Sequence, residues 1–344
     1  MPRVTIIGTG LIGASIGLGM KKHGPRDLEV VGHERSLDHA KQALRTHAVD
    51  RMERDLAAAV EGAALVIIAT PILAMREVLE VIAPALEAGA VVTDTGSTKA
   101  DIVNWGRTLL PDTTAFVGGH PMAGKTDSGP LAADAALFQD ARWIVVPDPL
   151  VPPDAVDVVV GLAQMLGAKP VFMDAHEHDA YAAAISHLPL VAATGLFRLA
   201  RSSEAWPELS ALASSGFRDT TRLTATEPVM AHDIAITNRA QIVHWIERYR
   251  EELRLLQLEI ADTEHEAELF RTISESNMQY AAYRAGAVGR REVDDDQFDT
   301  IGDISMMDLL MGGQLAERAR ELTRRAEERI AESERTARAA GRDG

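Results

Sequence analysis

Short apolar runs alternate with segments of helical periodicity along the first half of the chain. Six runs are nearly continuous in apolar residues: VTIIG, LEVVG, ALVIIAT, AVVTD, TTAFVG and RWIVVP. Helix-like segments lie between several of them, at residues 37–45, 75–86 and 99–110. Strands that are apolar throughout are typical of a parallel sheet covered by helices on both faces. Since crossovers between parallel strands are right-handed, the pattern predicts a doubly wound, mostly parallel α/β sheet.

The pattern changes after a proline-rich stretch at residues 147–154. One more helix and strand extend the α/β pattern, and the chain then becomes helical and rich in alanine. Residues 227–260 carry apolar side chains three and four positions apart, which predicts one long amphipathic helix. We therefore expect an α/β domain over 1–174, an all-α domain over 175–290, and an acidic connector with a charged helical or disordered tail over 291–344. The all-α domain is expected to form a homodimer.

Composition narrows the classes of function. The 344 residues carry a formal net charge of −16, whereas a nucleic-acid-binding protein usually needs a basic surface. The chain has no cysteine, which excludes disulfides, thiolate catalysis and cysteine-ligated metal centres. The sequence has no run of 18 uncharged apolar residues, so no membrane span is expected, and MPRVTIIG begins a strand rather than a signal peptide. A cytoplasmic protein that acts on a small molecule is the simplest expectation.

The first strand runs into a glycine motif, GTGLIG, that opens a helix. Its glycines are Gly8, Gly10 and Gly13, and Leu11 and Ile12 lie between the last two. This spacing after a strand is typical of a Rossmann-type dinucleotide-binding turn. Gly8 permits the tight turn, Gly10 leaves room for a pyrophosphate at the helix N-terminus, and Gly13 allows the helix to pack closely on the strand. The alternative is a glycine-rich helix start that serves packing alone.

An acidic residue follows the second strand, where a dinucleotide-binding domain contacts the ribose. Glu34 lies 21 residues after Gly13, and a carboxylate there binds the ribose 2′-hydroxyl and repels a 2′-phosphate. Arg35 and Ser36 beside it suit a 2′-phosphate, which would favour NADP instead. The balance favours NAD over NADP as the cofactor.

Polar residues follow the fourth and fifth apolar runs. Ser97 and Thr98 lie in TDTGSTK, where either serves as a helix N-cap or, at the carboxyl end of a strand, reaches a substrate. His120 comes directly after the fifth run, in a loop rich in glycine and proline. A histidine at this edge of the sheet is suited to accept a proton near neutral pH. The two glycines before it are expected to let a ligand approach the backbone closely.

In the helical half, a histidine and an arginine are candidate substrate-binding residues. His187 lies in a helix that Pro189 is expected to kink or restart. Arg222 offers a fork of N–H donors that, when buried, suits a substrate carboxylate, or else it forms an ion pair with Asp219. The histidines and carboxylates of residues 174–180 match no standard spacing of a metal site, so no metal is expected.

These motifs, in this order, resemble the prephenate and arogenate dehydrogenase family of tyrosine biosynthesis. The matching pieces are IIGTGLIGASIG, ATP, VVTDTGSTK, GGHPMAG, HDAYAAAISHLP and SGFRDTTR. They extend from residue 4 to about residue 222, with weaker similarity to about residue 260. GGHPMAG together with SHLP is far more specific than the glycine motif alone. The resemblance implies an NAD-dependent oxidative decarboxylation of prephenate to 4-hydroxyphenylpyruvate.

The resemblance also implies roles for individual residues. In that family the histidine of GGHP accepts a hydrogen bond from the hydroxyl on C4 of the substrate ring, a role that falls to His120. The serine of the GSTK turn contacts the same hydroxyl, which implies a catalytic role for Ser97. The histidine of SHLP lines the substrate site and the last arginine of GFRDTTR binds a carboxylate, which implies His187 and Arg222.

Further positions are implied around the two binding sites. Thr70 and Pro71 in ATP belong to the cofactor site, and Lys125 and Thr126 in the loop after GGHP belong to the substrate site. Family members often carry glutamate where this chain has Thr126, and often read SHLPH where it has Leu190. Both positions bear on the choice of substrate and on inhibition by tyrosine.

Other functions fit parts of the sequence. Arogenate and 4-amino-4-deoxyprephenate share the ring and its carboxylate with prephenate, so the motifs do not separate the three substrates. Reductases of 3-hydroxyacids or imines share the glycine motif, but the hydroxyacid enzymes use a lysine in the helical domain and this chain has none after Lys169. A module that only senses NAD needs no convergence of His120, Ser97 and Arg222.

Overall fold

A computed structural model describes residues 2–125 and 127–286 of the chain. These residues divide into two compact units, one ending at His178 and the other beginning at Asp179. The predicted tail over 291–344 and the substrate-site residue Thr126 lie outside the described residues.

The first unit is built on a single eight-stranded sheet. Its strands are β1 Arg3–Ile7, β2 Glu29–His33, β3 Arg51–Met52, β4 Leu65–Ile68, β5 Val91–Asp94, β6 Ala115–Pro121, β7 Arg142–Pro147 and β8 Lys169–Phe172. They lie in the order β3-β2-β1-β4-β5-β6-β7-β8, and every neighbouring pair is parallel except β6 and β7. The predicted doubly wound, mostly parallel sheet is confirmed.

Helices cover the sheet and explain why its strands are apolar on both faces. Those of the first unit are α1 Leu11–His23, α2 Leu37–Arg45, α3 Leu56–Val60, α4 Ile72–Ile82, α5 Ala100–Leu109 and α6 Pro153–Met165, and α7 Ala175–Ala182 begins after β8. Central strand residues such as Ile6, Ile67 and Val145 are fully buried. Burial of this kind leaves the carboxyl ends of the strands as the place where loops carry polar side chains.

Strand β6 is longer than the sequence predicted. The segment around His120 was expected to be a loop after the strand, but β6 continues to Pro121. Its second half pairs antiparallel with β7, and His120 lies opposite Ile144. The low strand propensity of glycine and proline is overridden here because a neighbouring strand supplies hydrogen-bond partners.

The second unit is helical throughout its described part, as predicted. Its helices are α8 Leu188–Arg201, α9 Trp206–Leu212, α10 Ser215–Thr221, α11 Pro228–Thr237, α12 Arg239–Ala261 and α13 Glu266–Arg284. The single helix predicted over residues 227–260 is wrong, because α11 ends and α12 begins at Asn238. Asn238 leaves helical geometry with φ −122° and ψ 30°, and its side chain bonds to another segment.

A π-helical turn at Ala183–His187 joins α7 to α8. Leu188 N–H donates to the carbonyl of Ala183, which is an i→i−5 bond. Pro189 has no N–H and its ring crowds the preceding turn, which explains why the helix widens before it. The expected disturbance by Pro189 is therefore confirmed as a π turn that ends at His187.

The helical run Ala175–Arg201 is apolar and largely uncovered within one chain. Its mean hydropathy is 1.4 over its most apolar window, only 22% of that window is buried, and by length and composition it meets the criteria for a membrane span. Such a match for one helix is weak support for a membrane protein, because helices at protein interfaces have the same composition.

Candidate active site

In the glycine turn between β1 and α1, two of the three glycines pack against protein atoms and the third faces open space. Gly8 has φ +91°, and a Cβ there would lie 2.6 Å from the carbonyl oxygen of Ala69. A Cβ on Gly13 would lie 2.0 Å from the carbonyl oxygen of Gly8, so only glycine lets the helix approach. A Cβ on Gly10 would meet nothing within 4 Å. The open space at Gly10 therefore fits an anionic group at the N-terminus of α1.

Residues around this turn complete the predicted cofactor site. Gly10 is the N-cap of α1 and makes no side-chain bond to it, so Leu11 and Ile12 begin a helix whose first N–H groups are not capped by a side chain. A Cβ on Gly8 would also lie 3.0 Å from the backbone nitrogen of Thr70, which places the Thr70–Pro71 segment beside the turn.

Glu34 lies directly after β2, at the end of the strand as predicted. Its carboxylate accepts hydrogen bonds from Thr9 N–H at 2.9 Å and from Ser36 N–H at 3.0 Å, so it is held against the glycine turn. Ser36 is the N-cap of α2 and accepts a hydrogen bond from His39 N–H at 3.3 Å. Arg35 is exposed. A carboxylate fixed at this point favours a ribose hydroxyl over a phosphate, because it accepts hydrogen bonds and repels anions.

A buried carboxylate, Asp94, holds the backbone beside both predicted catalytic residues. It accepts hydrogen bonds from Gly96 N–H at 2.7 Å and from Gly119 N–H at 3.1 Å. Gly96 precedes Ser97 and Gly119 precedes His120, so each catalytic candidate lies one residue beyond an N–H that donates to Asp94.

Lys99 neutralises this carboxylate inside the protein. Its ammonium forms an ion pair with Asp94 and donates to the carbonyl of Gly119 at 2.7 Å, and both side chains are fully buried. A buried charge is tolerated when it is paired and its remaining hydrogen bonds are made, as they are here. The pair fixes the turn after β5 to the middle of β6.

Ser97 lies outside the following helix. Helix α5 begins at Ala100 with Lys99 at the N-cap position, so neither Ser97 nor Thr98 occupies that position. Ser97 is half-buried, and its hydroxyl makes no hydrogen bond within the part of the chain that the structure describes. The reading of Ser97 as the helix N-cap is therefore wrong, and its hydroxyl remains suited to a ligand.

The two glycines before His120 pack against the protein itself. A Cβ on Gly119 would lie 2.5 Å from the carbonyl oxygen of Asp94, and one on Gly118 would lie 3.0 Å from Val103. The expectation that they admit a ligand is wrong, because protein atoms already fill that space. Their small size instead lets β6 approach β5 and the helix behind it.

His120 contacts a second histidine. Its Nδ1 lies 2.8 Å from Nε2 of His178, and the two rings are nearly perpendicular, with an interplanar angle of 73°. His178 is 3% exposed and His120 is 9% exposed. Both belong to the first unit: His120 lies on β6, and His178 lies on α7, which follows β8.

Helix α7 is held in place by an N-cap aspartate. Asp174 accepts hydrogen bonds from His176 N–H at 2.8 Å and from Glu177 N–H at 3.2 Å. These donors, Glu177 first and His176 second, lower the pKa of Asp174 below its ordinary value of 3.8. The cap fixes the first turn of α7 and so the direction of His178.

Lys125, a predicted substrate-binding residue, has protein partners in this structure. Its ammonium lies 3.1 Å from the carboxylate of Asp134 and 3.4 Å from the carbonyl oxygen of Ala132. The Ala136 N–H and then Lys125 lower the pKa of Asp134. Because the pair is exposed, it is weak, and an anionic ligand competes for Lys125 at little cost.

In the second unit, Asn238 determines which nitrogen of His187 carries a proton. The amide nitrogen of Asn238 donates to the carbonyl of Asp179 at 2.7 Å, and this obligate acceptor fixes the orientation of the amide. The same nitrogen lies 3.1 Å from Nδ1 of His187 and donates to it. A neutral His187 therefore carries its proton on Nε2 and is a hydrogen-bond donor there.

Arg222 does not have the surroundings that the sequence suggested. It is exposed rather than buried, and among the described residues it makes no ion pair with Asp219. Within the described part of a single chain, Arg222 forms neither the buried fork nor the structural pair. Its guanidinium lies at the surface of the second unit.

Two domain families match the chain and together cover both units. The nucleotide-binding domain of prephenate dehydrogenase matches residues 16–172, and the dimerization domain of prephenate dehydrogenase matches residues 174–275. The prephenate dehydrogenase of Bacillus subtilis strain 168 is 33% identical over 289 residues, which are 83% of this chain and 78% of that protein. The chain belongs to the prephenate dehydrogenase family.

Solved structures of family members have the same fold. Prephenate dehydrogenase from Aquifex aeolicus, in complex with hydroxyphenyl propionate and NAD+, is 26% identical with a TM-score of 0.77, over 82% of this chain and 98% of that one. Arogenate dehydrogenase from Synechocystis is 28% identical with a TM-score of 0.69, over 82% of this chain and 99% of that one.

Sequence reasoning missed four residues that bond to candidate site residues or to the backbone beside them, three in the first unit and one in the second. They are Asp94, Lys99, His178 and Asn238. Asp94 and Lys99 lie in VTDTGSTK, where two charges next to an apolar run signal a buried pair. His178 lies among the histidines and carboxylates of residues 174–180, where the sequence shows no standard metal-site spacing and nothing that points to His120 as a partner. Nothing in the local sequence pairs Asn238 with His187.

A cavity of about 880 Å³ lies elsewhere, at the amino ends of the central strands. Arg3, Ala64 and Val91 are among the residues that line it, and none of the predicted site residues does. Since cofactors bind doubly wound sheets at the carboxyl ends of strands, the cofactor of this family member is expected at the other edge of the sheet.

Proposed function

We propose that this chain is a prephenate dehydrogenase that catalyses the NAD-dependent oxidative decarboxylation of prephenate to 4-hydroxyphenylpyruvate. The observation that carries the proposal is the Asp94 carboxylate, which binds the N–H groups immediately before Ser97 and His120. Ser97 follows β5, and His120 lies near the carboxyl end of the neighbouring strand β6. Strand β4 lies between β5 and β1, the strand that leads into the glycine turn. A module that only senses NAD has no need of this arrangement.

His120 is the proton acceptor for the substrate hydroxyl. When bound, NAD is the hydride acceptor of the reaction. His120 accepts the hydrogen bond of the C4 hydroxyl and takes up its proton, which strengthens electron donation from oxygen to C4 as the C4–H bond breaks and its hydrogen leaves as hydride. Loss of the ring carboxylate as CO₂ leaves its electron pair in the ring, which becomes aromatic, and the proton returns to the phenol oxygen. Ser97 contacts the same oxygen and orients it.

The residues present fit NAD as the cofactor. The open space at Gly10 and the uncapped N-terminus of α1 suit the pyrophosphate, and the Glu34 carboxylate suits the ribose diol. Leu11, Ile12, Thr70 and Pro71 lie around the same turn. We infer a preference for NAD, because a 2′-phosphate would lie against the carboxylate that Thr9 and Ser36 hold in place.

Further substrate contacts are proposed for residues that the family resemblance implies. Arg222 binds a carboxylate of the substrate, and His187 donates from Nε2 to a substrate oxygen, in keeping with the proton that Asn238 assigns to it. Lys125 and Thr126 follow His120 in the sequence and are proposed to bind substrate, and Lys125 exchanges its surface partner Asp134 for a substrate carboxylate.

We propose that the protein is a cytoplasmic homodimer that binds neither nucleic acid nor membrane. The matching dimerization domain covers residues 174–275, which include the apolar run Ala175–Arg201. A second copy covers this helix better than lipid does, because the acidic chain, with a net charge of −16, is repelled by anionic membrane surfaces.

Arogenate dehydrogenase is a second candidate function. It is favoured by the similarity to the Synechocystis arogenate dehydrogenase, which is 28% identical to this chain, against 26% for the Aquifex aeolicus enzyme. One experiment separates the candidates: reduction of cofactor is followed at constant protein concentration with prephenate, arogenate and 4-amino-4-deoxyprephenate, each with NAD and with NADP. We expect the highest kcat/KM with prephenate and NAD, and no turnover with any pair would overturn the proposal.

His120→Asn tests the proposed role of the histidine. Removal of a general base costs typically 10²–10⁴-fold, so we expect kcat to fall by about that factor while NAD binding, measured by calorimetry, is unchanged. His39→Asn is a matched control, because His39 lies on α2 in the same unit. Unchanged turnover of His120→Asn would exclude the proton-accepting role.

A further inference from the structure

In the hydrogen bond between His120 and His178, the distance alone does not say which nitrogen donates and which accepts. Nδ1 of His120 and Nε2 of His178 lie 2.8 Å apart, with ring centroids separated by 5.1 Å. When both imidazoles are neutral, one of these nitrogens carries a proton and donates it, and the other accepts. The direction therefore decides the tautomer of His120.

Only one direction is compatible with the proposed reaction, on which this inference rests. Because Nδ1 of His120 bonds to His178, the other ring nitrogen, Nε2, is the one that meets the substrate hydroxyl. A nitrogen accepts a hydroxyl proton only when it carries no proton of its own. We propose that His178 is a positioning residue that keeps the proton of neutral His120 on Nδ1 and so makes Nε2 the accepting nitrogen.

The opposite direction would disable the site. If Nε2 of His178 carried a proton and donated it, Nδ1 of His120 would accept and Nε2 of His120 would carry the proton. That nitrogen would then donate to the substrate oxygen and could not take its proton. Histidines whose tautomer is set by a second group are common where one nitrogen has a defined task.

The same contact serves the step in which His120 becomes charged. After Nε2 takes up the substrate proton, Nδ1–H continues to donate to Nε2 of His178, so no partner has to move. The bond also becomes charge-assisted, which strengthens it. The buried setting of the two rings, 9% and 3% exposed, keeps water from replacing His178.

The capped first turn of α7 fixes the position of His178. Asp174 caps α7 with two hydrogen bonds, and His178 N–H donates to the carbonyl of Asp174 at 2.8 Å. The side chain thus starts from the first full turn of a capped helix rather than from a loop. This is the geometry expected of a residue that must hold another at a fixed angle.

Two substitutions of His178, with side chains of similar length, test the proposal. His178→Gln offers an amide oxygen that accepts from Nδ1–H of His120, whereas His178→Met offers no comparable acceptor. Loss of a group that orients a functional histidine typically costs about 10–100-fold, so we expect His178→Met to lower kcat by that factor. His178→Gln is expected to recover most of the loss, and the KM for NAD is expected to stay the same in both. His176→Gln is the control, since the exposed His176 lies two residues away on the same helix.

The tautomer itself is measured by ¹⁵N NMR of protein labelled at histidine, without substrate. The His120 signals are identified by their absence from His120→Asn, and we expect a protonated Nδ1 and an unprotonated Nε2 near pH 8. The reverse tautomer, or full kcat in His178→Met, would overturn the proposal. If wild-type protein turns over none of the three substrates, the proposed function fails, and the NMR result still decides the tautomer.

Discussion

Asp94 is the residue on which the geometry of the site depends most. Its carboxylate holds two backbone N–H groups, at Gly96 and Gly119, and its charge is balanced only by the buried Lys99 ammonium among the contacts described. A buried ion pair is costly to break from one side, because the remaining charge is then unpaired in a medium of low polarity.

Lys99→Met is therefore expected to destabilise the protein strongly. Breaking a buried pair by removing one partner typically costs about 3–5 kcal/mol, and the Gly119 carbonyl also loses its donor. The free energy of unfolding, measured with urea, checks the size of the loss.

The double variant Asp94→Asn with Lys99→Met serves as the control. It removes both charges, so we expect it to be more stable than Lys99→Met alone, even though each substitution removes hydrogen bonds. If the single lysine variant lost less than about 1 kcal/mol, the pair would be contributing no more than a surface ion pair does.

At the scale of elements, the β1–α1 turn holds one glycine that packs against protein atoms and one that faces open space. A Cβ on Gly13 would lie 2.0 Å from the Gly8 carbonyl oxygen, whereas a Cβ on Gly10 would meet nothing within 4 Å. The two glycines look equivalent in the motif, and only the packing of helix on strand distinguishes them.

Gly10→Ala and Gly13→Ala are expected to fail in different ways. Gly10→Ala should leave the melting temperature within about 2 °C of wild type and weaken NAD binding by about tenfold or more, because the new methyl group occupies ligand space. Gly13→Ala should lower the stability by about 1–3 kcal/mol, because the helix must shift. Calorimetry gives both quantities, and equal effects of the two substitutions would contradict this division of roles.

The N-cap of α7 makes a contribution that depends on pH. The folded-state pKa of Asp174 is lowered, so its stabilisation is present above the ordinary value of 3.8 and is lost as pH falls below it towards the lowered pKa. Asp174→Ala is expected to cost about 1 kcal/mol at pH 7, and less as pH falls below about 4. Asp174→Asn, which keeps an accepting oxygen, is the control and should lose less than Asp174→Ala at pH 7.

Elements with a strong local signal were predictable, and those decided by distant partners were not. Helix α2 has the predicted bounds, residues 37–45, because its N-cap serine and apolar periodicity are local features. Strand β6 extends through Pro121 because β7 pairs with it, and the predicted long helix breaks at Asn238 because that side chain bonds to Asp179. Strand β3 has only two residues, too few to show a period.

For the whole molecule, the exposed apolar surface of the second unit favours a dimer. Leu196 and Leu199 lie one turn apart on α8 and are 39% and 72% exposed. Apolar side chains on one helical face, within a segment that matches a dimerization domain, are the expected surface for a second copy.

Leu199→Glu is expected to shift the protein from dimer to monomer. A carboxylate in an apolar interface loses its hydration without gaining a partner, which weakens association. Light scattering after size-exclusion chromatography should give twice the chain mass of 37.1 kDa for wild type and a lower mass for the variant. Leu150→Glu is the control, since Leu150 is 87% exposed but lies in the first unit. A mass unchanged by Leu199→Glu would place the interface elsewhere.

The sequence by itself determined the class of fold, the glycine turn, the position of Glu34 and the resemblance that marks His120 and Ser97. These depend on local periodicity and on motifs of a few residues, which are visible in the sequence. Only the tertiary structure decided that Asp94 and Lys99 hold the two catalytic candidates, that Gly118 and Gly119 pack against protein, and that His178 and Asn238 bond to His120 and His187. The bonds from Lys99 and Asp94 to Gly119, from Asn238 to His187 and between His120 and His178 join residues 20 to 58 positions apart, so no local pattern encodes them. Folding brings them together because burial of the apolar strands and helices fixes their backbones, and the buried polar groups then require partners.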